Sequence, residues 1–350
     1  MAGAIKIGSR LVGPGYPCFV IAEAGVNHNG DLDLAKRLIE VAADAGADAV
    51  KFQTFRTENL VIANAPLAAY QQANLGRALA QAEMLRKLEL SESDFLLLAQ
   101  DARSRGLIFL STPFDEASAD FLQRLHVPAY KVPSGELTNL EFLQHLARKG
   151  KPLIISTGMA TLAEVEAAVE AVESCGNRDY ILLHCVSNYP ASAHEVNLRA
   201  MLTLQAAFQA PVGYSDHSEG VYVALAAVAL GACVIEKHFT VDKTLPGPDH
   251  KASASPEELK ALITAIRQIE QALGDGRKRP AESERDTIAV ARKSLVVTCD
   301  LPPGVLLQEG HLALRRPGTG LPASMKRYVL GKKTKCNIRA GTMLTLDMVA

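Results

Sequence analysis

Two lysines stand inside otherwise apolar stretches, Lys51 in AVKFQT and Lys131 in AYKVPS, and neither can be buried cheaply without an anion beside it. Either a core carboxylate such as Glu23 or Glu236 pairs each lysine, or the two together hold a phosphate or carboxylate ligand. Hydroxyl donors at Ser134, Ser156 and Ser215 favour the ligand. Two histidines, His217 and His238, end consecutive apolar runs. Neutral imidazoles there can share one divalent ion and leave positions open for water or substrate, although either alone reads equally as a hydrogen-bonded structural residue. Glu236 and Asp216, in the same segments, are candidate extra ligands, outer partners or proton carriers. LPGPDHKAS from Leu245 has the composition of an exposed loop, from which Asp249 and His250 can reach over the same site.

Groups so distant in sequence meet only if the chain returns to one place repeatedly. From Cys18 to Asp242, short β-branched runs alternate with longer amphipathic segments, the rhythm of β-α units around a parallel sheet. The runs are CFVIAE, AVKFQT, LIFLST, AYKVPS, PLIIST, YILLHC, PVGYSD and CVIEKH, and eight is the number that closes a (β/α)₈ TIM barrel. Helices are predicted over Asp33–Ala45, Asp94–Ser104, Leu162–Val172 and Val221–Leu230. A doubly wound open sheet leaves the count of eight unexplained, and no GxGxxG follows the first run. In a barrel, polar residues at strand ends converge on one mouth. Nearly every run supplies some: Glu23 and Asn27; Lys51 and Gln53; Lys131, Ser134 and Glu136; Ser156 and Thr157; His184, Asn188 and Tyr189; Ser215, Asp216 and His217; Glu236 and His238. The third run, ending at Ser111 and Thr112, is the least informative. Arg56 to Leu90 is too long for an ordinary βα loop and is predicted to cover part of the mouth.

The barrel is assigned to residues 1–275. GDGRKRPAESE from Gly274 has the glycine, proline and charge of a boundary, so 276–290 reads as a linker and 291–350 as a small second domain. Within it LPPGVLLQEGHL and IRAGTMLTLDMV align at one offset, matching Gly304 with Gly341, Leu307 with Leu344 and Leu312 with Val349. A net charge of −1 excludes the broad field that gathers nucleic acid or an anionic membrane. No apolar run is long enough to span a bilayer and Met1–Arg10 lacks a signal-peptide core, so a cytoplasmic location is the expectation. The six cysteines form no CxxC pair and read as reduced, buried packing residues.

Along almost its whole length the chain resembles the sialic acid synthases, a family that includes N-acetylneuraminate, legionaminate and pseudaminate synthases. The resemblance rests on IAEAGVNHNG, KFQT, KVPSGELTN, STGM, HCVSNYP, GYSDHS, EKHFT and GPDHKAS, with RRPGTG from Arg315 matching the signature of the family's C-terminal antifreeze-like (SAF, β-clip) domain. It implies condensation of phosphoenolpyruvate with an N-acylated mannosamine-type sugar to a nine-carbon 2-keto acid and phosphate. By resemblance, Lys51, Lys131, Ser134, Ser156, Asn188 and Ser215 hold phosphoenolpyruvate; His217 and His238 bind Mn²⁺, with Mg²⁺ or Co²⁺ as alternatives. Glu23, Gln53, Tyr189 and Asp249 position the sugar, Glu236 transfers protons, and Arg316 reaches the N-acyl end from the other chain of a domain-swapped homodimer. The wording of APLAAYQ and PGPDHKAS is most similar to the legionaminate type; N-acetylmannosamine or its 6-phosphate are the other acceptors. A Schiff-base aldolase using Lys131 is the rival from another enzyme class, and a carbohydrate-binding module would draw on the C-terminal domain alone.

Overall fold

The computed structural model describes residues 3–68, 72 and 80–350; the last three residues of APLAAYQ, 69–71, lie outside them. The first short strands, β1 (Ile5–Ile7) and β2 (Arg10–Val12), form an antiparallel hairpin with Ile5 opposite Val12. Eight parallel strands follow: β3 (Phe19–Gly25), β4 (Ala49–Thr54), β5 (Ile108–Pro113), β6 (Tyr130–Val132), β7 (Leu153–Ser156), β8 (Tyr180–His184), β9 (Val212–Asp216) and β10 (Val234–His238). They pair in the order β5-β4-β3-β10-β9-β8-β7-β6. The two ends of that order, β5 and β6, lie side by side and close the ring.

Each predicted helix is present, with ends within two residues of the expectation: Leu32–Ala45, Glu92–Ser104, Leu162–Ser174 and Tyr222–Ala229. The boundaries follow from local chemistry. Asp31 accepts from Leu34 N–H to start the first helix, and Gly46, left-handed at φ 82°, ends it. Ser91 with Asp94, Thr161 with Glu164 and Ser255 with Glu258 make reciprocal caps that start three others, the last being Pro256–Leu273.

Strand alternation splits the core in two. Val20, Ala22 and Ala24 of β3 face the helices, with Leu38, Ile39, Leu98, Leu259 and Leu262 packed outside them. Phe19 and Ile21 instead point inward, meeting Ala49, Leu110, Ile154, Ile181 and Val234. Ile5, Ile7 and Val12 belong to this inner cluster, so the hairpin plugs the barrel where the strands begin. Burial there is worth about 1.5–3 kcal/mol for each large side chain. The inward positions at the opposite, C-terminal ends are polar, which leaves that end for chemistry.

The chain divides into two compact units, residues 1–274 and 275–350. A helix, Arg285–Ala291, occupies the end of the stretch read as a linker. In the second unit β11 (Ser294–Val297) and β12 (Leu312–Arg315) pair antiparallel over a core of Leu295, Val297, Leu307, Val329 and Leu344. The sequence echo has a spatial counterpart, because Leu301 and Ile338, equivalent in the two repeats, bond to each other across an antiparallel bridge. All six cysteines are free. Cys18, Cys185 and Cys233 are buried as expected, whereas Cys175 is only partly covered and Cys299 and Cys336 are exposed. Lying outside the apolar runs, those three had no pattern to bury them.

Candidate active site

Inward alternation at the strand ends brings Glu23 (β3), Lys51 and Gln53 (β4), Lys131 (β6), Ser156 (β7), Ser215 (β9), and Glu236 and His238 (β10) into one cavity of about 390 Å³. Ser134, Tyr189 and His217 join them from the residues just beyond β6, β8 and β9. Ala68 and Gln81 of the long segment after β4 also line it, so part of the described segment borders the mouth.

The four charges at its floor alternate in sign. Lys51 Nζ lies 2.6 Å from Glu23 Oε2 and 3.7 Å from Glu236 Oε2, and Lys131 Nζ lies 3.3 Å from Glu236 Oε1. All four side chains are at most 5% exposed. Burial pushes the Glu23 carboxyl up to about 7 despite Lys51. Burial also works against the Glu236 carboxylate, but Lys131 and Lys51 together outweigh it and hold the group down at about 2. Burial likewise opposes the charge on Lys51, and there Glu23 and Glu236 win and raise it. At Lys131 burial prevails over Glu236 and lowers it. Lys131 is thus a poorly compensated cation facing an open cavity, the condition in which an anionic ligand adds stability. The core carboxylates and a ligand are therefore complementary readings of the two lysines, not exclusive ones. Ser156 Oγ, buried and without a hydrogen-bond partner among the described residues, is a further donor for such an anion.

The imidazoles are prepared differently. His217 Nδ1–H donates to Val186 O at 2.7 Å, which fixes the tautomer and leaves the Nε2 lone pair directed away. Ser215 Oγ gives its proton to Glu236 Oε1 (2.9 Å) and so does not claim that lone pair, 3.4 Å off. His238 Nδ1 is buried with no partner among the described residues. Burial holds His217 down to about 4 and His238 well below its ordinary value, so both rings are neutral in the physiological range. Among the described residues no group of three or more His, Cys, Asp or Glu side chains has an arrangement able to hold a metal. The pair can supply two nitrogen ligands, the rest of a coordination shell falling to water or substrate. Gly25, at φ 54°, is required behind them, since a Cβ there would come within 3.2 Å of the His238 ring and 3.3 Å of Glu23.

Three predicted residues do not line the cavity. Asn188 turns its Oδ1 back to accept from Tyr189 N–H, while its neighbours Ser187 and Tyr189 face inward. Asp249 is buried, its carboxyl raised to about 6 by burial alone. Its loop is not the exposed one that composition suggested, because Asn27 Nδ2 clasps Phe239 O and Ser253 Oγ, and His250 is enclosed between Thr240 and Asn29. Arg316 belongs to the second unit, where its Nε–H donates to Ala291 O at 3.0 Å. Asp216 and His184 fall on outward positions. Asp216 is bound to Lys237 Nζ at 2.7 Å and to Ser218, and His184 to Val196 O, and neither lines the cavity. Thr112 was passed over, yet Lys51 Nζ donates to its Oγ1 at 2.8 Å. Its inward position at the end of β5 was the available signal, and a lone threonine carries too little chemical character to use it. Gly158 was also missed. It packs so closely on Ser134, Ser187 and Cys185 that a Cβ would overlap all three, and its N–H donates to Ser134 Oγ at 3.0 Å.

Residues 38–278, more than half of the chain, match the model of the NeuB family. The chain belongs to the NeuB family. Residues 292–350 match the SAF domain. This NeuB-family chain is 52% identical over 346 residues to an N,N'-diacetyllegionaminic acid synthase of Legionella pneumophila, covering 98% of this chain and 97% of that one. It is 49% identical to the synthase of the same name from Campylobacter jejuni, over 93% and 98% of the two chains. The human N-acetylneuraminate-9-phosphate synthase is 36% identical over 97% and 95%. Among solved structures, an N-acetylneuraminic acid synthetase from Leptospira borgpetersenii superposes with a TM-score of 0.72 at 38% identity, covering 82% of this chain and 96% of that one. No helix among the described residues is long and apolar enough to cross a membrane.

Proposed function

We propose that this chain is a synthase that joins phosphoenolpyruvate to an N-acylated mannosamine-type sugar with consumption of one water, forming a nine-carbon 2-keto acid and releasing phosphate, with 2,4-diacetamido-2,4,6-trideoxymannose as the acceptor. The observation that carries the reaction is the meeting of two buried lysines, several hydroxyls and a neutral histidine pair in one cavity. What favours this acceptor is that the two legionaminic acid synthases share 52% and 49% of their residues with the chain, against 36% for the human N-acetylneuraminate-9-phosphate synthase and 35% for a Campylobacter jejuni pseudaminic acid synthase.

Lys51 and Lys131 neutralise the phosphate and carboxylate of phosphoenolpyruvate, and Ser134, Ser156 and Ser215 donate to their oxygens. The same cations stabilise the phosphate as it leaves. A divalent ion held by His217 and His238, Mn²⁺ first with Mg²⁺ or Co²⁺ as alternatives, supplies Lewis acidity toward a carbonyl oxygen. Gln53 and Tyr189 orient the sugar, and proton transfer is assigned to the carboxylates of the cavity, Glu23 and Glu236. A domain-swapped homodimer, with the partner subunit's Arg316 at the N-acyl end, and a cytosolic location belong to the same reading.

The test is phosphate release from phosphoenolpyruvate and Mn²⁺ with each acceptor in turn: N-acetylmannosamine, its 6-phosphate and the diacetamido sugar. Fastest release is expected with the last. A strong preference for N-acetylmannosamine overturns the acceptor, and no release with any of them overturns the reaction.

A further inference from the structure

Three aromatic rings that line the cavity form a triangle. The Tyr189 ring lies against that of His217, with centroids 4.1 Å apart and planes inclined by 31°. It meets His238 edge-on at 5.6 Å, and the two imidazoles are themselves 5.8 Å apart. Tyr189 reaches this place on a loop tied to the segment it contacts: Ala191 N–H donates to His217 O at 2.9 Å, and Ala191 bridges Ser218 in parallel. We infer that Tyr189 is a positioning residue for the imidazole pair, in addition to its proposed contact with the sugar.

An imidazole on a strand end retains rotation about its Cβ–Cγ bond, and its in-plane lone pair sweeps an arc as it turns. Two constraints are needed to stop it. For His217 one is the Nδ1–H bond to Val186 O, at the ring edge, and the other is the Tyr189 ring on its face. A face contact leaves the lone pair at the edge uncovered. For His238 the first constraint is the close approach of Gly25, where a Cβ would stand only 3.2 Å from Cε1 and 3.3 Å from Nδ1. The second is the Tyr189 ring, which meets it in a T-shaped contact at 5.6 Å. One phenol ring thus contacts both imidazoles and sets them relative to each other. Because a metal held by only two protein nitrogens depends on their separation, loss of the ring should weaken it by the roughly 10–100-fold typical of lost outer support.

This inference rests on the metal reading for its functional weight, and the experiment separates the two. Crystal structures of metal-free wild type, Tyr189→Phe and Tyr189→Leu, with Mn²⁺ titrations of all three by calorimetry, are the measurement. The wild-type and Phe proteins should show the same single orientation of both imidazoles and Mn²⁺ affinities within about twofold. The Leu variant should show His217 rotated or in several orientations and bind Mn²⁺ at least 10-fold more weakly. Imidazoles unmoved in the Leu variant overturn the positioning role, as does a Phe variant as disordered as Leu, which would assign the work to the hydroxyl. A wild type that binds no Mn²⁺ overturns the metal reading instead, and the ring orientations then decide the positioning role alone.

Discussion

Buried histidines differ in what burial makes of them. His28, just past β3, accepts from Gly30 N–H at its Nδ1 (3.0 Å), and burial, with His250 nearby, pushes it from 6.5 down to about 4. The fold therefore favours the neutral ring. The stability this gives is complete above about pH 6.5 and is lost as the pH falls from there toward 4. His28→Gln retains an acceptor for Gly30 without a proton to take up. Urea unfolding at pH 7.5 and pH 4.5 should show the difference between variant and parent moving by about 2–3 kcal/mol in the variant's favour at the lower pH. Parallel acid limbs would remove His28 from the explanation. Single residues were legible where type and position agreed: a lysine inside an apolar run announces a buried charge whichever way it faces. Asp216 and Ser215 are adjacent polar residues of equal promise in the sequence, and only strand facing separates the structural one, bound to Lys237, from the one in the cavity.

At the scale of elements, eight runs and their intervening helices were readable because period-2 and period-3.6 patterns and capping residues agree along the barrel. The β1–β2 hairpin was not. Its strands have three residues each, too few for alternation to show, and their apolar side chains are buried only because the barrel floor is open to receive them. The loop after β10 was misjudged for a related reason, since glycine, proline and polar residues suit an exposed loop and the contacts that bury this one come from more than 200 residues away. Asn27 supplies two of them, with Nδ2 at 2.8 Å from Phe239 O and 2.9 Å from Ser253 Oγ. Asn27→Ala leaves Phe239 O short of a donor in a buried place and should cost about 2–3 kcal/mol in equilibrium unfolding. It should also expose the loop, read as faster hydrogen exchange across residues 239–254. A loss confined to stability, with exchange unchanged there, would mean the loop is held by other contacts.

For the whole molecule, the division into a catalytic barrel and a SAF unit follows the composition break near Gly274, but sequence alone does not say which barrel the second unit serves. Among the described residues that line the barrel's cavity, the lysines and arginines are Lys51 and Lys131 alone, and both lie at the floor beside Glu23 and Glu236. If Arg316 is the cation for the N-acyl end of the acceptor and acts between chains, two inactive variants should repair each other. His217→Ala spoils the barrel site and Arg316→Ala spoils the arm, and each alone should lose at least 10-fold in kcat/KM. In a heterodimer of the two, one site joins the intact barrel of the arginine variant to the intact arm of the histidine variant, and the other site carries both defects. Random pairing makes about half the dimers mixed, so about a quarter of all sites should regain full turnover when the differently tagged chains are coexpressed. Activity no higher than the average of the two parents would mean that Arg316 serves its own chain's cavity or none, because pairing within a chain can never combine an intact barrel with an intact arm from these two variants.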